Sequence, residues 1–372
     1  MIYAYGITQQ GTYHVKKGIV CQDAHRFIKC GDSYGIAAVA DGLGSEEHSD
    51  IASQLAVELS TEYCAEHIQE DLSEEQILRI IRDSFACAQS RIEQAASDNG
   101  HDLDQYDTTL TLAVLRNGTL YYGQSGDSGM VALTAEGLYQ KVTEQQRDEE
   151  GRVFPLYFGD AKWVFGTFPE PVVSVLLATD GIFETLFPVY LREEPVKIYV
   201  ALARYLMGPD SLRIEEIGEN GAAEKIDRFL AGIPDDQVND DKTVAVLVDP
   251  DAACQKQEPA YYAEPDWSEL KRKYEEAWRR AAYPHLFPAD ALEDDIPEQA
   301  VKNTDSAVLE TSPASPAEGD TDAACPTAET CPQAPTGDST GGEAAAPPPA
   351  ASLKKTTGKG RVRKLFSKRD GK

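Results

Sequence analysis

Positive charge, paired cysteines and long apolar runs are all scarce in this chain. Only 35 Lys+Arg face 63 Asp+Glu, a formal net of −28. Nine of those cations, with a single aspartate, fall within residues 351–372, so the preceding body is more acidic than the whole. Such a body repels nucleic acid instead of steering toward it. The seven cysteines (Cys21, Cys30, Cys64, Cys87, Cys254, Cys325, Cys331) are odd in number and form no Cys-x-x-Cys pair. Neither a disulfide framework nor a zinc site is indicated, and reduced thiols in a cytosol are the expectation. No apolar run reaches the length of a membrane span. The opening Met1-Ile2-Tyr3-Ala4-Tyr5-Gly6 has neither the basic nor the long apolar region of a signal peptide. The expected location is cytoplasmic.

Against these absences, apolar periodicity is well developed over the first 250 residues. Residues 1–7 and 34–40 read as strands, the second ending at Asp41. Ile51, Leu55, Leu59 and Tyr63 recur every four residues, a helical pattern with Ser45 or Ser49 as N-cap. A second helix carries Ile77, Ile80, Ile81, Phe85 and Ile92, and the spacing of Ser73 and Gln76 predicts a capping box. The period then changes to strands. Leu110, Leu112 and Val114, then Leu120 and Tyr122, flank Asn117-Gly118, a type I′ hairpin signal. Further strands are predicted at 128–134, Val172–Thr179 and Thr243–Val248, with helical patterns near 195–206 and 221–231. Hairpin-joined strands with helices grouped in pairs predict an α+β fold. The arrangement that buries every apolar face is a four-layer α-β-β-α sandwich with two central antiparallel sheets.

That body spans 1–250. An accessory extension, 251–288, holds one more predicted helix at 265–282, with Trp267, Leu270, Tyr274 and Trp278 on one face, expected to dock on the body. The segment 289–350 is rich in Ala, Pro, Glu, Asp and Thr and is expected to be disordered. Residues 351–372 form a basic tail, open to an acidic partner, an anionic membrane surface, or solvent alone.

Acidic residues collect at the ends of the apolar runs. They lie in Cys21-Gln22-Asp23-Ala24-His25, Ala40-Asp41-Gly42-Leu43-Gly44, Gly126-Asp127-Ser128, Thr179-Asp180-Gly181 and Asn239-Asp240-Asp241-Lys242-Thr243. Taken singly, Asp-Gly and Gly-Asp-Ser are ordinary turns. Taken as a set where buried sheet meets loop, they suit two hard divalent cations, which prefer oxygen ligands and keep several waters. Asp241 reads as a solvated neighbour of that set, and Thr108 and Thr109 as packing and hydrogen bonding at a strand start.

In this order, Gln-Asp-Ala, Asp-Gly-x-Gly, Thr-Thr, Gly-Asp-Ser, Thr-Asp-Gly and Asp-Asp-x-Thr resemble the motifs of the metal-dependent serine/threonine protein phosphatases of type 2C. The resemblance covers roughly residues 1–249, and His14 through Ala24 is similar to a compact bacterial subgroup. It implies two Mg²⁺ or Mn²⁺ ions, with Asp41 bridging both, the Gly42 carbonyl on the second, and Asp180 and Asp240 completing the first. Asp23 would hold metal-bound water, and Asp127 would bind a third, weaker metal. The implied activity is hydrolysis of phosphoserine and phosphothreonine in proteins by a metal-bridging hydroxide, opposing a bacterial signalling kinase. No Cys-x₅-Arg loop is present to form a covalent phospho-enzyme. The alternatives are a catalytically silent phosphoprotein-binding or scaffold module, and a hydrolase of small phosphomonoesters.

The chain departs from the family pattern at three places. Lys16-Lys17-Gly18 stands where many members carry a phosphate-clamping arginine, which makes Lys17, or Lys16, the expected phosphate contact. Leu43 stands where some place a histidine as general acid, leaving His25 and His48 as the histidines near in sequence. Gly129, not arginine, follows Gly-Asp-Ser. The long connection 141–170, with Arg147, Arg152, Lys162 and Trp163, is the expected flap beside the site.

Overall fold

Alternation along the central strands decides the layering. In the strand Tyr34–Asp41, Ile36, Ala38 and Ala40 point to one apolar cluster while Ala37 and Val39 point to another. In the strand Lys242–Val248, Val244, Val246 and Val248 likewise oppose Ala245 and Leu247. Strands buried on both faces at a period of two require a layer above and a layer below.

The computed structural model describes residues 1–283. The expected segments 289–350 and 351–372 lie outside the described residues. In chain order, β1 (Tyr3–Gln9) leads through α1 (Thr12–Lys17) to β2 (Asp23–Cys30) and β3 (Tyr34–Asp41). Helices α2 (Ser49–His67) and α3 (Glu74–Asn99) precede β4 (Leu110–Arg116), β5 (Thr119–Ser125), β6 (Gly129–Thr134) and β7 (Tyr139–Lys141). Then come β8 (Val164–Thr167), β9 (Val172–Ala178), α4 (Asp180–Leu186), α5 (Val200–Met207), α6 (Pro209–Leu212), α7 (Ile214–Ala231), β10 (Lys242–Val248) and α8 (Trp267–Ala282).

Two five-stranded antiparallel sheets result, ordered β1-β10-β9-β6-β7 and β2-β3-β4-β5-β8. One apolar cluster lies between the sheets, joining Ala37, Val39 and Leu115 to Met130, Val175 and Leu247. A second joins the β2–β8 sheet to α2 and α3, and a third joins the other sheet to α4, α5 and α7. This is the expected α+β sandwich. The Asn117-Gly118 turn has both residues at positive φ (50° and 76°), as a type I′ hairpin requires.

The predicted capping box is present. The Ser73 N–H donates to Gln76 Oε1 at 2.8 Å and the Gln76 N–H donates to Ser73 Oγ at 3.3 Å. Ser73→Ala is expected to lower stability by about 1 kcal/mol in urea unfolding, and an unchanged midpoint would show that the cap does not matter.

Several elements differ from expectation. The row Ile51, Leu55, Leu59, Tyr63 is not the buried face of α2: Ile51 is 41% exposed, while Ala52, Ala56, Val57, Ser60, Thr61 and Cys64 are fully buried. Small residues let α2 lie close against the sheet and α3. The Ser60 and Thr61 hydroxyls are satisfied by donating to the Ala56 and Val57 carbonyls, at 2.6 and 2.7 Å. Ser49 starts α2, and the N-cap is His48, not Ser45 or Ser49. The connection 141–170 contains β8, which pairs with β5 at the sheet edge. The second late helical pattern begins earlier than expected, at Ile214, and bends at Gly218 (φ 69°).

Residues Met1–Arg272 form one compact unit, and the last part of α8, from Lys273, belongs to a second. Within the first unit, Trp267 meets Tyr199 edge-on at 4.9 Å and Leu270 is buried. Among the described residues no helix is long and apolar enough to cross a membrane.

Candidate metal centre

The two sheets deliver their carboxylates to a common end. Asp41 closes β3 opposite Asp23, the first residue of β2. Asp180 opens α4 just after β9, and Asp127 sits in the turn between β5 and β6. Carboxylate oxygens of Asp41, Asp127 and Asp180 all lie within 4.8 Å of one another.

The backbone around them is firmly held. The Asp41 N–H donates to Thr109 Oγ1 at 2.9 Å, and its carbonyl accepts the Thr109 N–H at 2.8 Å and the Thr108 hydroxyl at 3.1 Å. Thr109 Oγ1 in turn lies 3.1 Å from Ser128 Oγ. The pair at the start of β4 thus clamps Asp41, in line with the expected role. Thr179 donates to Asp23 Oδ2 at 2.8 Å and accepts the Thr243 N–H at 3.2 Å, tying the ends of β2, β9 and β10 together.

Two glycines of the motifs are fixed by packing. A Cβ on Gly42 would stand 2.6–2.7 Å from the carbonyl oxygens of Ser49 and Gln22. A side chain at that position is therefore excluded by its own backbone surroundings. A Cβ on Gly129 would meet the Phe183 ring at 2.3 Å, so β6 has no room there for an arginine.

Electrostatically the site is in conflict with itself. Burial pushes the Asp41 carboxyl well above the ordinary range, and the charges of Asp23, Asp180, Asp127 and Asp240 push it further. Burial, then Asp127 and Asp240, raises Asp180 to about 7. Burial and Asp241 raise Asp23. Asp127 is also raised by burial, which the neighbouring Arg147 partly offsets. Arg147 is the cation of the cluster. Its guanidinium donates to Asp127 Oδ2 through Nε at 2.9 Å, and its terminal nitrogen reaches Asp180 at 3.2 Å and Glu184 at 3.0 Å. Carboxylates that converge without enough positive charge, Asp127 buried and Asp41 and Asp180 half-buried, and that offer only oxygen donors, fit a hard divalent cation.

The remaining expected residues are placed as follows. Asp240 has its Oδ1 3.8 Å from His14 Nε2, in a second cluster with Asp241, while its charge acts on Asp41 and Asp180. Lys16 pairs with Asp235 at 3.0 Å, and Lys17 lies over the Tyr13 ring at 5.7 Å, so neither is joined to the carboxylate cluster. His25 packs on Gly6 with its Nδ1 2.7 Å from Thr8 Oγ1, and burial lowers its pKa to about 4. His48 stacks on His101 at 4.1 Å.

Asp241 is not a solvated neighbour. It is 4% exposed, accepts the N–H groups of Gly11 and Gln22 at 2.6 and 2.7 Å, and lies 2.9 Å from His14 Nδ1. It binds α1 and the start of β2 to the end of the Asn239–Asp241 turn. Sequence reasoning placed Arg147 in the flap but gave it no partners, and Glu184 carried no signal beyond its place one turn after Asp180 on α4.

A family model described as Protein phosphatase 2C matches residues 10–213. Among solved structures, the chain is similar to the serine/threonine phosphatase Stp1 from Staphylococcus aureus, at 13% identity and a TM-score of 0.46, covering 67% of this chain and 95% of that one. It is also similar to PppA from Pseudomonas aeruginosa, at 16% identity and a TM-score of 0.43, covering 66% and 97%. The catalytic domain of the serine/threonine protein phosphatase PstP, in complex with two manganese ions, gives 18% identity, a TM-score of 0.44 and coverage of 66% and 97%. No curated protein matches the chain.

Proposed function

The chain belongs to the protein phosphatase 2C family, and from that premise we propose that it hydrolyses phosphoserine and phosphothreonine in proteins with the help of Mg²⁺ or Mn²⁺. The observation that carries the proposal is the convergence of the Asp41, Asp127 and Asp180 oxygens within 4.8 Å at the shared sheet end. Asp41, Asp180 and Asp240 side chains with the Gly42 carbonyl would hold two ions, and Asp127 a third. Bound there, such ions lower the pKa of a coordinated water and neutralise phosphoryl charge.

The protein's own residues supply placement. Thr179, hydrogen-bonded to Asp23 at 2.8 Å, holds that carboxylate toward Asp41 across the β2–β3 pair. Arg147 offers the planar fork that matches two phosphoryl oxygens, which a lysine lacks. Lys16 and Lys17, in the last turn of α1, would add positive charge without that geometry. The rest of the proposal follows from the activity: a cognate serine/threonine kinase to supply substrate, in a cytoplasmic pathway.

The test is turnover of p-nitrophenyl phosphate and a phosphothreonine peptide with Mn²⁺ and with EDTA. Turnover with Mn²⁺ and none with EDTA is expected. Folded protein that binds Mn²⁺ yet turns over neither substrate would replace this reading with a phosphoprotein-binding module.

A further inference from the structure

A groove of about 900 Å³ lies between β7 and the segment that follows α4; Arg147 lines it, and Asp41, Asp127 and Asp180 do not. Its charge is opposite to that of the protein. Lys141, Arg147, Arg192 and Lys197 line it against one carboxylate, Glu144, in a chain whose net charge is −28. Lys141 is engaged by Glu144 and lies 5.3 Å from the Phe187 ring. Arg147 is engaged by the aspartates. Arg192 and Lys197 are exposed, and among the described residues neither is in an ion pair. The walls between them include Val189 and Val196, which are 43% and 40% exposed.

Two unengaged cations beside exposed apolar side chains, at the mouth of an anionic site, call for an anionic and partly apolar occupant. Resting on the phosphatase reading above, we infer that this groove holds an acidic stretch of substrate protein flanking the phosphorylated residue. It selects such substrates through Arg192 and Lys197. A chain entering from the groove reaches Arg147 first, so its phosphoryl group would be presented to the carboxylate cluster from that side. Complementary rim charges act mainly on encounter and partner choice, which is a specificity role.

The test uses fluorescein-labelled phosphothreonine peptides flanked by glutamates, by lysines or by serines. Their binding to the full chain is read by anisotropy at low ionic strength in EDTA, so that turnover does not intrude. Net charge alone makes the lysine-flanked peptide the tightest binder. The groove predicts instead that the glutamate-flanked peptide binds tightest, and that R192E/K197E weakens it about tenfold. The milder R192Q/K197Q should give an intermediate loss, and thermal unfolding checks that both variants fold. Preference for the lysine-flanked peptide, or equal affinity in wild type and both variants, would overturn the groove. Turnover of p-nitrophenyl phosphate or of the phosphothreonine peptide by the wild-type protein with Mn²⁺ separates the two claims. Its absence, with glutamate-selective binding intact, rejects the phosphatase and keeps the groove.

Discussion

Asp180→Asn should silence metal-dependent turnover and, in EDTA, make the protein more stable. The loss of activity is expected to be at least about 100-fold, because even partners outside the first ligand shell are worth 10–100-fold in affinity or activity. The gain in stability follows from the conflict described above. Asp180 is raised to about 7 by burial and by Asp127 and Asp240. An amide of the same shape removes one of the converging charges.

The sign of the pH dependence is fixed by the same shift. Between pH ~4 and ~7 the folded protein holds a proton on Asp180 that the unfolded chain has released, so unfolding becomes easier as pH rises through that window. The penalty is fully present above pH ~7 and absent below pH ~4. Wild-type protein in EDTA should therefore lose melting temperature from pH 5 to pH 8, and Asp180→Asn should flatten that decline. A difference of about 2 kcal/mol corresponds to roughly 4–8 °C in a domain of this size. Mn²⁺ competes with the same protons, so its binding to wild type should tighten as pH rises. Equal melting curves for the two proteins at pH 8 would show that the carboxylates are not in conflict.

What could be read from the sequence was what local chemistry dictates. Asn117-Gly118 makes a type I′ turn wherever two alternating strands meet, and Ser73 with Gln76 caps a helix whatever it packs on. The strand-end aspartates were legible for the same reason, since each closes or opens an apolar run. Long-range packing was not legible. The large row of α2 is only partly buried, with Ile51 exposed, because small residues, Ala52, Ala56 and Ser60, fit the close approach to the sheet, and periodicity alone favours the large row. Asp241 read as a solvated neighbour of the set, yet its role is set by N–H groups from Gly11 and Gln22, more than two hundred residues away. The reason for glycine at 129 is Phe183, a contact with no trace in the local motif.

Arg147 was legible as part of the flap, but its partners only in the fold, and its removal carries the second large effect. Arg147→Gln should destabilise the metal-free protein by about 2 kcal/mol. Removing one partner of a fully buried pair costs roughly 3–5 kcal/mol. Here the loss is smaller because the Arg147 side chain is 34% exposed, although Asp127 beneath it is only 3% exposed. Metal should reverse the defect, because a divalent cation on Asp127 and Asp180 meets the need that the guanidinium meets in its absence. The variant is thus expected to melt several degrees below wild type in EDTA and to recover most of that difference in millimolar Mn²⁺. Arg147→Lys should recover only part of it, since a single ammonium cannot span Asp127, Asp180 and Glu184 as the guanidinium does. A melting deficit that Mn²⁺ leaves untouched would mean that Arg147 supports the 141–170 connection and not the carboxylates. Recovery by Mn²⁺ would place the guanidinium and the metal in competition for the same oxygens, with Arg147 left free to meet the phosphoryl group once the ions are bound.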